Sequence, residues 1–271
     1  MLVFRVADEN TILPKYIFAQ LSQDFFFDFV MANPKGIKMP RGDKDIIDSF
    51  KLPLPPLDVQ KSIVAECEQV DSEYQNVQNE IAESKEKIVE LMEISLKTAN
   101  DIYKLSNKDI FDISIGRRIL STEISETFDI PVYSANVFEP FGKINKLLIK
   151  DFNIPSVIWG IDGDWQVNVI PKNQPFYPTD HCGVLRIKNN QIEPKYVAYV
   201  LEKEGKKEGF KRSYRASIDR IEAMTLKLPP LAKQQEIVSK ITTLESKITD
   251  AKKIMEECPA KKQAILDKWL K

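Results

Sequence analysis

The chain has 271 residues, of which 43% are hydrophobic and 29% charged, and its formal net charge is −1. This length allows two domains or one domain with long helices, and the near-neutral charge excludes a generic polycation, so nucleic-acid binding would need local basic patches. Three cysteines are too few for a disulfide framework, no window approaches the ~18 apolar residues of a membrane span, and no signal-peptide pattern is visible, so we expect a cytoplasmic protein.

The first 54 residues predict a short strand, a helix and a basic loop. Residues 2–6 are strand-like, and residues 14–31 predict one helix. We expect that helix to be largely buried because it carries many aromatic side chains: Tyr16, Phe18, Phe25, Phe26, Phe27 and Phe29. The polar loop that follows carries four cations, Lys35, Lys38, Arg41 and Lys44.

A proline-rich stretch at residues 50–57 then leads into a long, charged helix. Apolar or small residues recur there in alternating steps of four and three, which is typical of the a and d positions of a coiled coil. The predicted seam consists of Ile63, Cys67, Val70, Tyr74, Val77, Ile81, Ser84, Ile88 and Leu91.

Residues 101–183 have a different pattern, with short strand-like runs separated by turn residues. The runs are 113–115, 131–133, 147–149, 157–161 and 165–170. They predict a β-rich globular domain.

The proline-rich stretch and its helix occur a second time. Pro55, Pro56, Leu57, Gln60, Ile63 and Val64 match Pro229, Pro230, Leu231, Gln234, Ile237 and Val238. A second seam follows at Ile237, Ile241, Leu244, Ile248, Ala251, Met255, Cys258, Ile265 and Trp269. Two helices with matched seams are expected to pair, and we expect Pro259 to kink or break the second one.

The repeat is larger than the helix, because residues 1–98 resemble residues 182–271. Residues 12–17 correspond to residues 192–197, and each repeat has a basic loop before its proline-rich stretch. Residues 99–181 have no counterpart before Met1. We therefore expect the first globular domain to lack its N-terminal half, which is either lost or supplied by another chain.

Besides Lys35, Lys38, Arg41 and Lys44 of the first basic loop, two groups of residues are candidates for DNA contact. The second basic loop, residues 203–220, holds Lys206, Lys207, Lys211, Arg212, Tyr214, Arg215 and Arg220. Lys and Arg neutralise phosphates and Arg can pair with guanine, although a solvated surface loop is the alternative interpretation. Tyr133, Ser134 and Asn136 form the second group; Asn can pair with adenine, and an exposed strand end explains these residues equally well.

Other motifs indicate structure and not chemistry. Residues 161–165 lack the ligand set of a calcium loop and predict a tight turn, and Trp159 and Trp165 are expected in the core. His181 and Cys182 lack the partners of a zinc site or a nucleophile dyad. No methyl-donor loop, methylation motif or phosphate-binding loop is present in the sequence. We therefore expect no catalytic residues, no metal and no cofactor.

The chain resembles the DNA specificity subunits of type I restriction-modification systems. The resemblance covers essentially the whole chain and is carried by the two Pro-Pro-Leu-x-x-Gln-x-x-Ile-Val segments and by four further segments, residues 130–136, 160–163, 179–185 and 39–44. It implies an α+β fold: a β-rich target-recognition domain flanked by two long helices that pair as an antiparallel coiled coil, plus a partial second recognition domain at the N-terminus. The implied boundaries are 1–54 for the C-terminal half of a first recognition domain, 55–98 for the first spacer helix, 99–228 for a complete recognition domain and 229–271 for the second spacer helix.

The resemblance also implies a function and partners. The chain would be a non-catalytic subunit that recognises a bipartite site in double-stranded DNA and directs two methyltransferase subunits, together with restriction subunits, to it. Under this interpretation the basic loops contact DNA, and two chains could form a homodimer. Two alternatives stay open: a coiled-coil adaptor without a DNA role, and the specificity tail of a fused N6-adenine methyltransferase.

Overall fold

The computed structural model describes residues 4–32 and 42–270. They form two compact units, one from the described residues of Met1–Lys85 and Glu245–Lys271 and one from Glu86–Leu244. The helices are α1 (Pro14–Leu21), α2 (Asp24–Met31), α3 (Lys44–Asp48), α4 (Leu57–Lys97), α5 (Pro194–Glu208), α6 (Ile218–Glu222) and α7 (Leu231–Leu270). The strands are β1 (Asp101–Lys104), β2 (Phe111–Ile115), β3 (Ile130–Tyr133), β4 (Gly142–Ile144), β5 (Ser156–Gly160), β6 (Val167–Ile170), β7 (Tyr177–Pro178), β8 (Cys182–Ile187) and β9 (Thr225–Leu228).

The prediction of one helix over residues 14–31 was wrong, because the chain forms α1 and α2 with a break at residues 22–23. The hydroxyl of Ser22 donates to the carbonyl of Phe18 at 2.6 Å, and the amide of Gln23 donates to the carbonyl of Ala19 at 2.9 Å. The backbone amide of Gln23 donates to the carbonyl of Gln20 at 3.4 Å, and the side-chain amide of Gln23 takes its place at the carbonyl of Ala19. Such side-chain bonds are a common way for polar residues to end a helix.

Burial of the aromatic residues of α1 and α2 was also overestimated. Tyr16 and Phe26 are buried, but Phe18 is 69% exposed, and Phe25, Phe27 and Phe29 are exposed as well. The predicted strand over residues 2–6 is not formed by Phe4–Val6, the part of it that lies within the described residues. Among the described residues of this unit no strand is found, so no sheet covers the aromatic side chains.

In the first unit the two long helices pair antiparallel. Lys268 of α7 forms an ion pair with Glu66 of α4 at 2.7 Å, and Lys261 of α7 forms one with Glu73 of α4 at 2.8 Å. The residue with the higher number in α7 pairs with the residue with the lower number in α4, so the helices run in opposite directions. The predicted seam is largely confirmed: Ile63, Cys67, Val70, Val77, Ser84, Ala251 and Cys258 are buried. On α4, Ile81, Ile88 and Leu91 are half-buried and Tyr74 is 39% exposed.

Pro259 does not interrupt α7, which is a single helix of 40 residues, so the predicted break is wrong. Pro259 lies on the exposed side of the helix, where its ring meets solvent and the unpaired carbonyl one turn earlier can bond to water. Within the described residues no helix is long and apolar enough to cross a membrane.

The second unit is the predicted β-rich domain. Its main sheet has the strand order β2-β8-β5-β6 with antiparallel neighbours, beside a three-stranded sheet β4-β3-β7 and the pair β1-β9. Four of the five strand-like runs overlap strands, two of them only in part, but residues 147–149 do not. Leu148 packs against the cluster around Val132 without joining a strand. The antiparallel partner of β3 is instead β4, which lies earlier in the chain.

Helix α5 covers the main sheet and closes the core. Trp159 is fully buried, and the indole nitrogen of Trp165 donates to the carbonyl of Glu202 on α5 at 2.9 Å, so both tryptophans are core residues as predicted. The last turns of α4 join this core through Met92 and through Ser95, whose hydroxyl lies 2.8 Å from that of Tyr196.

Candidate nucleic-acid interface

Several loops of the second unit meet at one end of the main sheet. The last residue of β5, Gly160, pairs with the first residue of β8, Cys182, and the last residue of β2, Ile115, pairs with Gly183. The chain therefore leaves β2 and β5 and enters β8 at the same end of the sheet. The polar residues at this end of the strands, called the polar edge below, are Arg117, Arg118, Tyr133, Ser134, Asn136, Asp162, His181, Lys211, Arg212, Tyr214, Arg215 and Arg220.

The segment after β3 is fixed against this edge by hydrogen bonds and close packing. Thr179 donates its hydroxyl to Ser134 at 3.1 Å and its backbone amide to the carbonyl of Tyr133 at 2.9 Å. A methyl group on Gly160 would come within 2.2 Å of the carbonyl oxygen of Ala135, so a glycine is required for the two backbones to approach this closely. The structure thus holds Ser134 beside the end of β5.

Tyr133 and Asn136 differ in how free their polar groups are. Tyr133 is half-buried, its ring lies edge-on to Phe176 at 6.2 Å, and burial raises the pKa of its hydroxyl. Asn136 is exposed, and its side-chain oxygen accepts from the backbone amides of Phe138 and Glu139 at 3.0 and 3.2 Å. The amide nitrogen of Asn136 is then the group best placed to contact a ligand, because the oxygen already serves the turn.

The predicted basic loop over residues 203–220 is partly helical. Helix α5 continues to Glu208 and ends at Gly209, whose φ of 79° is the left-handed conformation that glycine adopts readily. Lys206 and Lys207 lie in its last turns and pair with Glu202 and Glu204 at 2.5 and 2.6 Å. Both lysines remain more than half exposed in their side chains, as helix-surface ion pairs usually do.

Residues 210–214 of that loop form a tight hairpin, and its last residues begin α6. Lys211 and Tyr214 exchange backbone hydrogen bonds of 3.0 and 2.8 Å, with Arg212 exposed at the tip. The Tyr214 ring stacks on Phe210 at 5.8 Å, and the guanidinium of Arg220 lies 4.0 Å from the centre of the Tyr214 ring. Such a cation–π contact orders both side chains.

Backbone contacts tie this hairpin to the end of β5. The amide of Ala216 donates to the carbonyl of Ile161 at 3.1 Å, and the Trp159 indole donates to the carbonyl of Ala216 at 2.9 Å. The side chain of Arg215, just before Ala216, contacts Asp162 through Nε and, at 2.9 Å, through Nη2. Asp162 also contacts Nδ1 of His181.

Four functional candidates at the polar edge were missed by sequence reasoning. Asp162 was assigned only to a turn, and His181 was assigned a structural role. Arg117 and Arg118, exposed residues directly after β2, were not considered, although a pair of arginines after a strand end is a visible signal. The Arg117 amide donates to the carbonyl of Pro178 at 3.1 Å, which places this pair beside the segment that leads to His181.

The candidates in the first basic loop can be followed only in part. Lys35, Lys38 and Arg41 lie outside the described residues. Lys44 is not in a loop but is the first residue of α3, where the side chain of Asp43 accepts from the amide of Asp45 at 3.1 Å and caps the helix.

The cysteines have the environment of core residues. Cys182 is fully buried beside His181 in sequence, and burial raises its thiol pKa to about 12, far from that of a reactive thiolate. Cys67 and Cys258 are buried in the helix pair. Within residues 4–32 and 42–270, no group of three or more His, Cys, Asp or Glu side chains is placed to hold a metal ion.

The chain is similar to proteins of known class. The sequence model described as "Type I restriction modification DNA specificity domain" matches residues 100–258. A type I specificity subunit N-terminus from Mycoplasma pneumoniae is 36% identical over 100 residues, which cover 36% of this chain and 52% of that relative. Another type I specificity subunit from the same organism is 26% identical over 227 residues, covering 79% of this chain and 88% of the relative.

A solved structure shares the fold. The crystal structure of a type I restriction-modification system S subunit from M. genitalium superposes with a TM-score of 0.60 at 14% identity, covering 98% of this chain and 74% of that one. The α+β architecture with two long paired helices is therefore confirmed. The family-model match spans more than half of the chain. The chain belongs to the family of type I restriction-modification DNA specificity proteins.

Proposed function

We propose that the polar edge binds duplex DNA and that the chain acts as the sequence-recognition subunit of a type I restriction-modification system. The observation that carries this proposal is the convergence of Arg117, Arg212, Arg215 and Arg220 with Ser134 and Asn136 at one end of one sheet. Arginine contributes phosphate neutralisation and guanine pairing, and Ser and Asn contribute short-range hydrogen bonds to base edges.

The arrangement favours recognition of bases over binding through charge alone. The hairpin at residues 210–214 is held by ring stacking and backbone bonds. The side chain of Arg220 is ordered by its contacts with the Tyr214 ring and the Arg215 carbonyl, so it loses little freedom on binding. Between Arg215, Arg220 and the sheet end lies a cavity of about 600 Å³, open to solvent and lined by Ile115, Ile161, Arg215, Ser217, Ile218, Asp219 and Arg220. The cavity places two arginines of the polar edge on one concave surface, where they can donate hydrogen bonds to phosphates or to base edges.

In this proposal the chain itself carries out no catalysis. Residues 55–98 and 229–271 act as spacer helices and as the surface for methyltransferase and restriction subunits, and residues 99–228 act as one complete recognition domain. Helices of 41 and 40 residues are each about 60 Å long at 1.5 Å per residue, longer than one turn of B-DNA. This length supports recognition of a bipartite site with an unread spacer.

We further propose that residues 1–54 are the C-terminal half of another recognition domain. Gln60 contacts the start of α1 as Gln234 contacts the start of α5, which supports equivalence of the two segments. In α5 the position after Val197 is Ala198, buried against the β domain; the matching residue of α1 is Phe18, 69% exposed. A β-rich half-domain like residues 101–187 is the occupant that would cover it.

The test is the salt dependence of DNA binding by the full chain assembled with the methyltransferase subunits of its own system. We expect the logarithm of the binding constant to fall linearly with the logarithm of salt concentration, as counterions are released from phosphates. An assembly that binds methyltransferase subunits but no duplex at any salt concentration would identify the chain as an adaptor and contradict the proposal.

A further inference from the structure

The contact between Arg215 and Asp162 has the geometry of a positioned arginine. Nε of Arg215 faces Oδ1 of Asp162, and Nη2 donates to Oδ2 at 2.9 Å, so one edge of the guanidinium is paired with both carboxylate oxygens. Such two-point pairing fixes the plane of the guanidinium as well as its position. An isolated exposed ion pair contributes little to stability, so its importance here lies in orientation.

Asp162 is itself held in place. Its Oδ2 contacts Nδ1 of His181, and because an ionised carboxylate only accepts hydrogen bonds, Nδ1 carries the hydrogen in this contact. The Asp162 side chain is 24% exposed, compared with 48% for His181 and 54% for Arg215. The carboxylate is thus enclosed between the two larger side chains, and Asp180 is the other acidic group near the imidazole, 3.9 Å from Nε2.

The backbone on both sides of Arg215 is also fixed. Arg220 donates to the carbonyl of Arg215 at 2.7 Å, and Ala216 is anchored to the end of β5 by its amide and its carbonyl. With its backbone, carboxylate partner and neighbour all held by bonds, the Arg215 side chain is preorganised before any ligand arrives.

The guanidinium has five N–H groups, and the pair with Asp162 uses one on Nε and one on Nη2. The two hydrogens of Nη1 and the second hydrogen of Nη2 lie on its far end. That end presents two parallel donors, which is the pattern that pairs with O6 and N7 of guanine in the major groove.

We propose that Arg215 is a specificity-determining residue that pairs with one guanine, and that Asp162, supported by His181, is its positioning residue. This inference rests on the proposed DNA binding of the polar edge. The carboxylate has a second effect: it cancels the charge that would otherwise bind any phosphate. Asp162 therefore lowers general affinity for DNA while it raises discrimination between sequences.

The experiment is selection of bound duplexes from a randomised DNA pool by the full chain assembled with its methyltransferase subunits, with affinity for one unselected duplex measured in parallel. Four proteins are compared: the wild type, Arg215→Lys, Asp162→Ala and Asp164→Ala. Arg215→Lys keeps the charge but loses the paired donors. Asp164 is exposed on the same turn as Asp162, so Asp164→Ala matches the charge change of Asp162→Ala without touching Arg215.

We expect the wild type to enrich a motif that has guanine at one particular position. In Arg215→Lys the preference for guanine at that position should fall at least about ten-fold, while the affinity of this variant for the unselected duplex changes little. Asp162→Ala should raise affinity for the unselected duplex and weaken the same preference, whereas Asp164→Ala should raise affinity and keep the preference. A merely structural role of Asp162 would lower both quantities together.

An unchanged guanine preference in Arg215→Lys and Asp162→Ala would overturn this inference and leave DNA binding intact. Enrichment of no motif by a wild type that binds duplex DNA would overturn it as well. Failure of the wild type to bind any duplex would instead overturn the proposed function.

Discussion

Gln60 and Gln234 make the same three hydrogen bonds at the starts of the two long helices. The side-chain oxygen accepts from the amide of Leu13 or of Glu193, at 2.9 and 2.8 Å, just before α1 or α5. The side-chain nitrogen donates to Pro55 or Pro229, both at 2.8 Å, and to Thr11 or Gln191. Each glutamine thus ties a long helix to the shorter helix of its own repeat.

This relationship predicts that Gln234→Ala is strongly destabilising. The Gln234 side chain is 1% exposed, so its removal leaves buried backbone donors and acceptors without a partner. We expect a loss of about 1–3 kcal/mol in the free energy of unfolding, measured by urea denaturation. The neighbouring exposed Gln235→Ala is the control and should change stability by less than about 0.5 kcal/mol. Equal losses of unfolding free energy in the two variants would show that the three hydrogen bonds of Gln234 do not stabilise the fold.

A second prediction concerns the close approach at Gly160. In Gly160→Ala the added methyl group would meet the carbonyl oxygen of Ala135 at 2.2 Å, a backbone atom that cannot rotate away. We expect the segment 134–136 to shift, with a cost of about 1–3 kcal/mol in unfolding free energy and weaker DNA binding. Ser114→Ala, at an exposed site on β2, should change neither quantity. Wild-type stability in Gly160→Ala would mean that this packing is looser than the distance indicates.

A third prediction concerns Pro259. Because proline lacks the amide hydrogen and is unfavourable inside a helix, Pro259→Ala should restore one backbone bond and stabilise α7 by up to about 3 kcal/mol. The measurement is thermal unfolding followed by circular dichroism at the helix band. Glu257→Ala, an exposed substitution in the same helix that changes no proline, serves as the comparison and should shift the midpoint little. A lower midpoint for Pro259→Ala would indicate that the proline shapes the helix for its pairing.

Sequence periodicity predicted the long helices well, because a seam of apolar residues depends only on spacing along one chain. The buried positions Ile63, Cys67 and Val70 follow directly from it. The division of residues 14–31 into two helices depends instead on how Gln23 bonds to the carbonyls of Ala19 and Gln20, and the pattern of apolar residues does not contain that information. Pro259 was misjudged because its cost depends on which face of the helix meets solvent.

The candidate site was predicted only in part, for a similar reason. Arg212 and Arg215 were found because they belong to one basic run of sequence. Asp162 and His181 were assigned other roles because their significance arises where three separate segments meet at the end of the sheet. Composition and local spacing cannot reveal which loops share an edge, since that depends on the strand order.

Charge reversal at the hairpin tip is the sharpest test of DNA binding by the polar edge. Arg212→Glu changes the charge at the exposed hairpin tip, and Lys172→Glu makes the same change at an exposed site just after β6, at the opposite end of the sheet. The measurement is the affinity of each variant for a duplex over a range of salt concentrations. We expect Arg212→Glu to weaken binding about ten-fold or more and to reduce the slope of the salt dependence by about one, while Lys172→Glu changes both much less. Equal losses in the two variants, or none in Arg212→Glu, would contradict DNA binding by the polar edge.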